Sequence, residues 1–216
     1  MKYNKYIDHT LLSPTATENQ IRKLCDEALE YDFASVCVNS DYVSLAASIL
    51  HKPESTVKVC TVVGFPLGAM CTTAKVDELR ESVFSGADEI DMVINLSWVK
   101  DKKWDDLLDE LTRMRTAAHS KVLKVIIECC LLSDEEKIKV CELCKQASVD
   151  FVKTSTGFST GGATVHDVEL MKKVVGDFPH IKAAGGIRDK KFMVELIKAG
   201  ADRIGTSHGI ELVKED

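Results

Sequence analysis

The sequence predicts an α/β protein of the closed (β/α)8 type, a TIM barrel with a parallel closed sheet, and three observations predict it. Short apolar, β-branched runs alternate with longer segments of helical period, the alternation recurs eight times, and all of it fits within 216 residues. Eight βα units in so short a chain favour closure over an open doubly wound sheet, and no G-x-G-x-x-G follows the first strand to suggest a dinucleotide site. The strand candidates are Tyr6–Thr10, Ser35–Asn39, Val57–Gly64, Glu89–Asn95, Leu123–Cys129, Phe151–Ser155, Ile181–Gly185 and Arg203–Ser207. Helix starts are marked chemically: Thr17 with Gln20 and Ser133 with Glu136 fit capping boxes, and Thr164 and Asp189 fit simple N-caps. Gly86, Gly176 and Gly200 each follow a helical stretch, as C-terminal caps do. No linker or low-complexity segment interrupts this order, so residues 1–216 read as a single barrel domain.

The composition, 45% hydrophobic and 29% charged, is that of a globular chain with a sizeable core. A net charge of −6 argues against a nucleic-acid or anionic-membrane surface, both of which need clustered Lys and Arg. The N-terminal MKYNKYIDHTLL places polar residues where a signal peptide has its apolar region, and no run approaches the ~20 apolar residues of a membrane helix, so the expected compartment is the cytoplasm. The eight cysteines fall inside periodic apolar segments, among them Cys37, Cys60 and Cys129, and read as reduced thiols. Cys141 and Cys144 form a C-x-x-C pair within KIKVCELCKQ, where their spacing suits helix packing better than metal or redox chemistry.

A barrel carries its chemistry at the C-terminal ends of its strands, so ionisable residues inside apolar strands are the ones to follow. Three stand out: Asp91 in EIDMVIN, Lys153 in FVKTST and Lys182 in IKAAGG. A lysine inside a barrel loses hydration, which disfavours its charged form, and a second ammonium nearby acts in the same direction. An ordinary lysine, with a pKa of ~10.4, is neutral in only about one molecule in 2,500 at pH 7. Lowering that value to ~7–8 recovers most of a ~3–4 kcal/mol handicap and makes the amine a nucleophile. Condensed with a carbonyl, it gives a protonated imine that withdraws electrons from the adjacent carbon and allows C–C cleavage through an enamine. Asp91 then balances charge and, with Lys182, relays protons. Any one of these residues alone reads more naturally as a salt-bridged structural group; three on strands four, six and seven point to a site.

A second pattern is the glycine and hydroxyl placement at the last strand ends: Thr154, Ser155, Thr156 and Gly157, then Gly185 and Gly186, then Gly205, Thr206 and Ser207. Glycines let backbone N–H groups approach an anion, and barrels often build phosphate sites from these loops.

Together these residues resemble the deoxyribose-phosphate aldolase family, and the resemblance runs over nearly the whole chain. It is carried by DHTLL at Asp8–Leu12, SVCVN at Ser35–Asn39, VVGFPLGA at Val62–Ala69, GADEIDMVIN at Gly86–Asn95, KTSTGFSTGGAT at Lys153–Thr164, AAGGIR at Ala183–Arg188 and RIGTS at Arg203–Ser207. The resemblance implies that Lys153 forms the imine, that Lys182 tunes it and shuttles protons, and that Asp91 is the acidic partner. It implies reversible cleavage of 2-deoxy-D-ribose 5-phosphate to acetaldehyde and D-glyceraldehyde 3-phosphate, with neither metal nor other cofactor, and a homo-oligomer, dimer or tetramer. It further implies that Cys37 lies near the bound carbonyl, that Asp8 and Thr10 line the pocket, and that Gly157, Gly185, Gly186 and Ser207 contact phosphate. Phe158 stands where some relatives have lysine, which removes a charge contact, and His208 stands where a second serine often follows.

Other polar residues read as structural. Glu128, closing VIIE, suits a hydrogen-bonded carboxylate, and the Lys100–Lys103 stretch suits a solvated turn. His9, His51, His119, His166 and His180 show no mutual spacing that requires a metal. Two other readings of the residues stay open at this point: a barrel aldolase or transaldolase with a larger donor, and a non-catalytic sugar-phosphate binding barrel.

Overall fold

The computed structural model describes residues 3–214. Its strands are β1 (Ile7–Leu11), β2 (Ser35–Val38), β3 (Lys58–Val63), β4 (Glu89–Val93), β5 (Val122–Ile126), β6 (Phe151–Lys153), β7 (His180–Ala184) and β8 (Arg203–Thr206). All pair in parallel, in sequence order, and β1 pairs with β8 to close the barrel. The helices are α1 (Glu18–Glu30), α2 (Val43–Leu50), α3 (Thr72–Phe84), α4 (Leu96–Lys100), α5 (Trp104–Ala118), α6 (Asp134–Gln146), α7 (Val165–Val175), α8 (Lys190–Ala199) and α9 (Gly209–Val213). The predicted barrel is the observed one, with α4 and α9 as short additions.

Local chemistry accounts for the elements. α1 buries Ile21, Leu24, Cys25 and Ala28, one i, i+3, i+4, i+7 stripe facing the sheet. The Ser133 hydroxyl accepts the Glu136 N–H at 3.3 Å while the Ser133 N–H donates to Glu136 Oε2 at 2.8 Å, so α6 opens on the expected capping box. Thr164 and Asp189 accept the Asp167 and Phe192 N–H groups at the heads of α7 and α8. α8 ends at Gly200 with φ +118°, a conformation that a side chain would strain. Cys141 and Cys144 are buried on the inner face of α6, and burial pushes both thiols up from their ordinary range, which agrees with packing rather than redox chemistry.

Strand lengths depart from expectation in one informative way. The fifth strand ends at Ile126 instead of Cys129, because Glu128 adopts a left-handed backbone (φ +52°) and the chain then enters a tight turn at Cys129–Leu131. The sixth ends at Lys153 instead of Ser155, and Thr154–Thr156 turn into the mouth. Both early terminations release side chains at the C-terminal end of the sheet, where a barrel carries its site.

The main core lies between sheet and helices and includes Phe33, Ile90, Met92, Leu107 and Leu196. Full burial of each such side chain contributes about 1.5–3 kcal/mol. Inside the barrel a smaller apolar cluster, Leu12, Cys37, Cys60 and Val62, is capped by Phe65. Much of the rest of that interior is charged.

Candidate active site

Alternation along each strand sends one residue in two into the barrel, and on every strand but the second and third that set includes an ionised group. β1 supplies Asp8, β4 Glu89 and Asp91, β5 Lys124, β6 Lys153, β7 Lys182 and β8 Arg203. Asp91 stands at the centre. Its Oδ2 accepts from Lys153 Nζ and from Lys182 Nζ, each at 2.7 Å, and its Oδ1 accepts from Lys124 Nζ at 2.9 Å. Lys182 also reaches Asp8 Oδ2 at 2.6 Å, and Lys124 reaches Glu89 Oε2 at 2.6 Å. Arg203 closes the lower end, 2.5 Å from Asp8 Oδ1 and 3.3 Å from Glu89. The Ser35 hydroxyl donates to Asp8 at 2.6 Å.

These contacts decide the charge states. Burial alone drives Asp91 toward its neutral acid, but Lys124, Lys153 and Lys182 outweigh it and hold the carboxyl well below the usual range. Asp8 is likewise held down against burial, by Arg203, Lys182 and Lys124. Burial also works against the Lys182 and Lys124 ammoniums, yet the carboxylates beside them win and hold both above the ordinary lysine value. Desolvation was expected to neutralise buried lysines here; at Lys182 the charge pairs reverse that expectation. The Cys60 thiol lowers Cys37 through a hydrogen bond that overcomes burial, while burial raises Cys60.

Above this array opens a cavity of about 420 Å3. Lys153 lies on its floor with 3% exposure, whereas Asp91 and Lys182 are fully enclosed beneath. Thr10, Thr156, Gly157, Gly185, Gly186, Gly205 and Ser207 line the walls, so seven of the residues singled out for binding share one space. Asp8 and Cys37 do not line it. Asp8 is paired below with Lys182 and Arg203, and Cys37 sits in the interior apolar cluster, both fully buried.

The wall by β7 depends on two glycines. A Cβ on Gly162 would fall 2.3 Å from the Gly185 carbonyl oxygen, and Gly185 itself has φ +90°. The Ala163 N–H donates to the Gly185 carbonyl at 3.0 Å, locking the two loops together. Glu128 fixes the neighbouring turn, accepting the Thr156 N–H at 3.1 Å and its hydroxyl, in keeping with the structural reading of that carboxylate.

Sequence reasoning passed over four contributors. Lys124, Glu89 and Arg203 interrupt apolar strands just as Lys153 does, and that same signal marks them. Arg188 follows the glycine pair of AAGGIR and lines the cavity with an exposed guanidinium. It faces the space that His208 and Ser207 also border, the Ser207 hydroxyl lying 3.1 Å from His208 Nδ1. Phe158 turns instead against Phe65, ring centroids 5.2 Å apart and nearly perpendicular.

Two groups of metal-type side chains occur among the described residues, and neither donor set suits a cation. Cys37, Cys60 and Asp91 share their space with the Lys124 ammonium, 3.3 Å from Cys60 Sγ. Asp134, His166 and Asp167 are bridged by Lys137, 3.0 Å from Asp134 and 2.6 Å from Asp167.

A closed eight-strand barrel with a lysine amine on the floor of its C-terminal cavity, backed by a carboxylate and a second lysine, has the architecture of a lysine-dependent barrel aldolase. Comparison with known proteins gives the family. The model of the DeoC/LacD family aldolases matches residues 3–212. A deoxyribose-phosphate aldolase from Finegoldia magna is 55% identical over 214 residues, covering 99% of this chain and 100% of the relative. One from Thermococcus gammatolerans is 54% identical over 216 residues, covering 99% and 96%. Among solved structures, the tetrameric deoxyribose phosphate aldolase from Aeropyrum pernix superposes with a TM-score of 0.89 at 33% identity, over 97% of this chain and 88% of that one. The chain belongs to the DeoC/LacD family of aldolases.

Proposed function

We propose that this chain is a deoxyribose-phosphate aldolase, a class I lyase that cleaves 2-deoxy-D-ribose 5-phosphate reversibly to acetaldehyde and D-glyceraldehyde 3-phosphate. One observation carries the mechanism: Lys153 is the lysine at the cavity floor, and the carboxylate oxygen it touches is shared with the buried Lys182 ammonium.

The neutral Lys153 amine attacks C1 of the open-chain sugar phosphate, and loss of water gives the protonated imine. The C3 hydroxyl gives up its proton as the C2–C3 bond breaks, the electron pair is taken up as the C1–C2 enamine, and glyceraldehyde 3-phosphate departs. A proton delivered to C2 restores an imine, and water releases acetaldehyde and the free amine. Lys182 and Asp91 make the proton relay: Lys182 rests as an ammonium that can give and regain a proton, and Asp91, acceptor to three lysines, is the carboxylate that links it to Lys153 and balances their charge. The phosphate lies toward Gly185, Gly186, Gly157 and Ser207, with Arg188 as the cation of that wall. A cavity of about 420 Å3 suits a five-carbon sugar phosphate.

Residues 1–216 act as one barrel domain in this reading, in a cytoplasmic homo-oligomer. The tetrameric A. pernix relative supports the assembly, and among the described residues no helix is long and apolar enough to cross a membrane. The test is to reduce the protein with borohydride in the presence of acetaldehyde, then map peptides by mass. An ethyl group on Lys153, absent from Lys153→Ala, is the expected result; label on another lysine, or none, overturns the assignment.

A further inference from the structure

The interior charges form a figure that the reaction scheme does not require. Arg203 touches Asp8 and Glu89; Asp8 touches Lys182; Lys182 touches Asp91; Asp91 touches Lys124; Lys124 touches Glu89, which returns to Arg203. This is a closed ring of alternating sign, three cations and three carboxylates, and it is neutral as it stands. Every cation in it contacts at least two carboxylates, and Lys124 also lies 3.9 Å from Asp8. Lys153 is outside the ring, attached only through Asp91 Oδ2.

We propose that Arg203, at the floor of the barrel, is a positioning residue that completes this ring and so sets the pH at which Lys153 becomes a free amine. The proposal rests on Lys153 being the imine-forming lysine. With the ring complete, a proton on Lys153 is a surplus positive charge in a desolvated interior, and releasing it restores neutrality. Without Arg203 the ring carries a net negative charge, which a protonated Lys153 would balance. Without Glu89 the ring carries a net positive charge, which repels that proton further. The two neutralisations therefore act in opposite directions, although both residues lie on the same side of the ring, away from the cavity.

The remaining titratable groups packed around Lys153 do not alter the sign. The Cys37 and Cys60 thiols, from β2 and β3, lie beside Asp91, and the Glu128 carboxylate, two residues past β5, is turned to Thr156 and makes no ion pair among the described residues. Arg203 is linked to Lys153 in register, Lys153 opposite Lys182 and Lys182 opposite Arg203. Two strand spacings put its charge roughly 10 Å away. At that distance a unit charge in an effective dielectric of about 20–40 shifts a titration by about 0.6–1.2 pH units.

The experiment measures imine formation with acetaldehyde, quenched into borohydride, as a function of pH. Arg203→Gln is expected to move the acid limb upward by about 0.6–1.2 units, and Glu89→Gln to move it downward by a similar amount. Arg203→Lys, which keeps the charge, stays near the parent. A role limited to holding β8 against β1 and β4 would lower the rate in both neutral variants without opposed shifts. Limbs that stay in place, or move in one direction in both, overturn the proposal. Should Arg203→Gln fail to fold, Glu89→Gln decides alone: a downward shift supports the ring, and an unmoved limb overturns it. Failure of the parent protein to form any imine would instead strike at the functional reading.

Discussion

Lys182→Met removes one ammonium from the centre of the site and nearly preserves its volume. In the folded protein that ammonium is fully enclosed, 2.6 Å from Asp8 and 2.7 Å from the Asp91 oxygen that Lys153 also touches. Two amines on one oxygen lie roughly 5 Å apart, and at an effective dielectric of about 20 their repulsion is about 3 kcal/mol. Losing it makes the Lys153 ammonium easier to keep, which displaces the acid limb of kcat/KM upward by about two pH units and lowers the rate at any fixed pH on that limb about a hundredfold. Breaking a buried pair also costs about 3–5 kcal/mol of stability, so the thermal midpoint and the circular dichroism spectrum are recorded alongside. The assay follows deoxyribose 5-phosphate cleavage from pH 5 to 10, with Lys182→Arg as the charge-retaining control. Partial recovery of rate at alkaline pH is expected, the residual deficit reporting the lost proton donor. A folded Lys182→Met whose rate falls equally at every pH would refute the electrostatic reasoning and leave Lys182 as a proton carrier alone.

Phe158→Lys places a cation at the cavity wall where an aromatic ring, half exposed, now leans on Phe65. One charge-assisted contact to phosphate, at about 1 kcal/mol, lowers KM for deoxyribose 5-phosphate about fivefold and leaves unphosphorylated deoxyribose unaffected; equal change for both sugars would disprove the contact. Stability against pH should show a plateau with two edges. Asp8 and Asp91 are depressed in the folded state, so their contribution is complete above the ordinary carboxylate value, ~4, and is lost as pH falls below it. Lys182 and Lys124 are raised, so theirs is complete below ~10.5 and fades as pH rises beyond it. Thermal midpoints that decline already between pH 6 and 9 would contradict both directions.

How much of this was legible beforehand depends on whether the information is local. The barrel was, because strand and helix periods, caps and spacing are written in consecutive residues. Lys153, Lys182 and Asp91 were, because a charge inside an apolar strand is visible without knowing its partner. Lys124 and Arg203 break their strands in the same manner, yet their meaning lies in contacts across the closed sheet: Arg203 meets Asp8 at a separation of 195 residues, through the pairing of β8 with β1. Asp8 illustrates the same limit. Its place in DHTLL suggested a pocket wall, while strand register sets its carboxylate below the lysines. Glu128 was read correctly as a hydrogen-bonded carboxylate, but its left-handed backbone was not legible, since that conformation is a tertiary consequence with no local cue.

The ring also explains why the interior tolerates so much charge. A barrel of this size is ordinarily filled with branched apolar side chains, and exchanging a buried ionic cluster for such residues is often neutral or stabilising. Stability alone therefore gives no reason for four fully enclosed ions, Asp8, Asp91, Lys124 and Lys182, in one interior. The alternating closure removes the main objection, because each cation is flanked by at least two carboxylates and each carboxylate by at least two cations. A neutral ring of this kind keeps its lysines ionised without help from solvent. The one amine hung on its outside, on the side facing the cavity, then shares a carboxylate already committed to two other lysines. Rigidity below and reactivity above thus come from the same carboxylate, Asp91, and loosening the lower ring is felt at Lys153 even though nothing in the ring touches the substrate cavity.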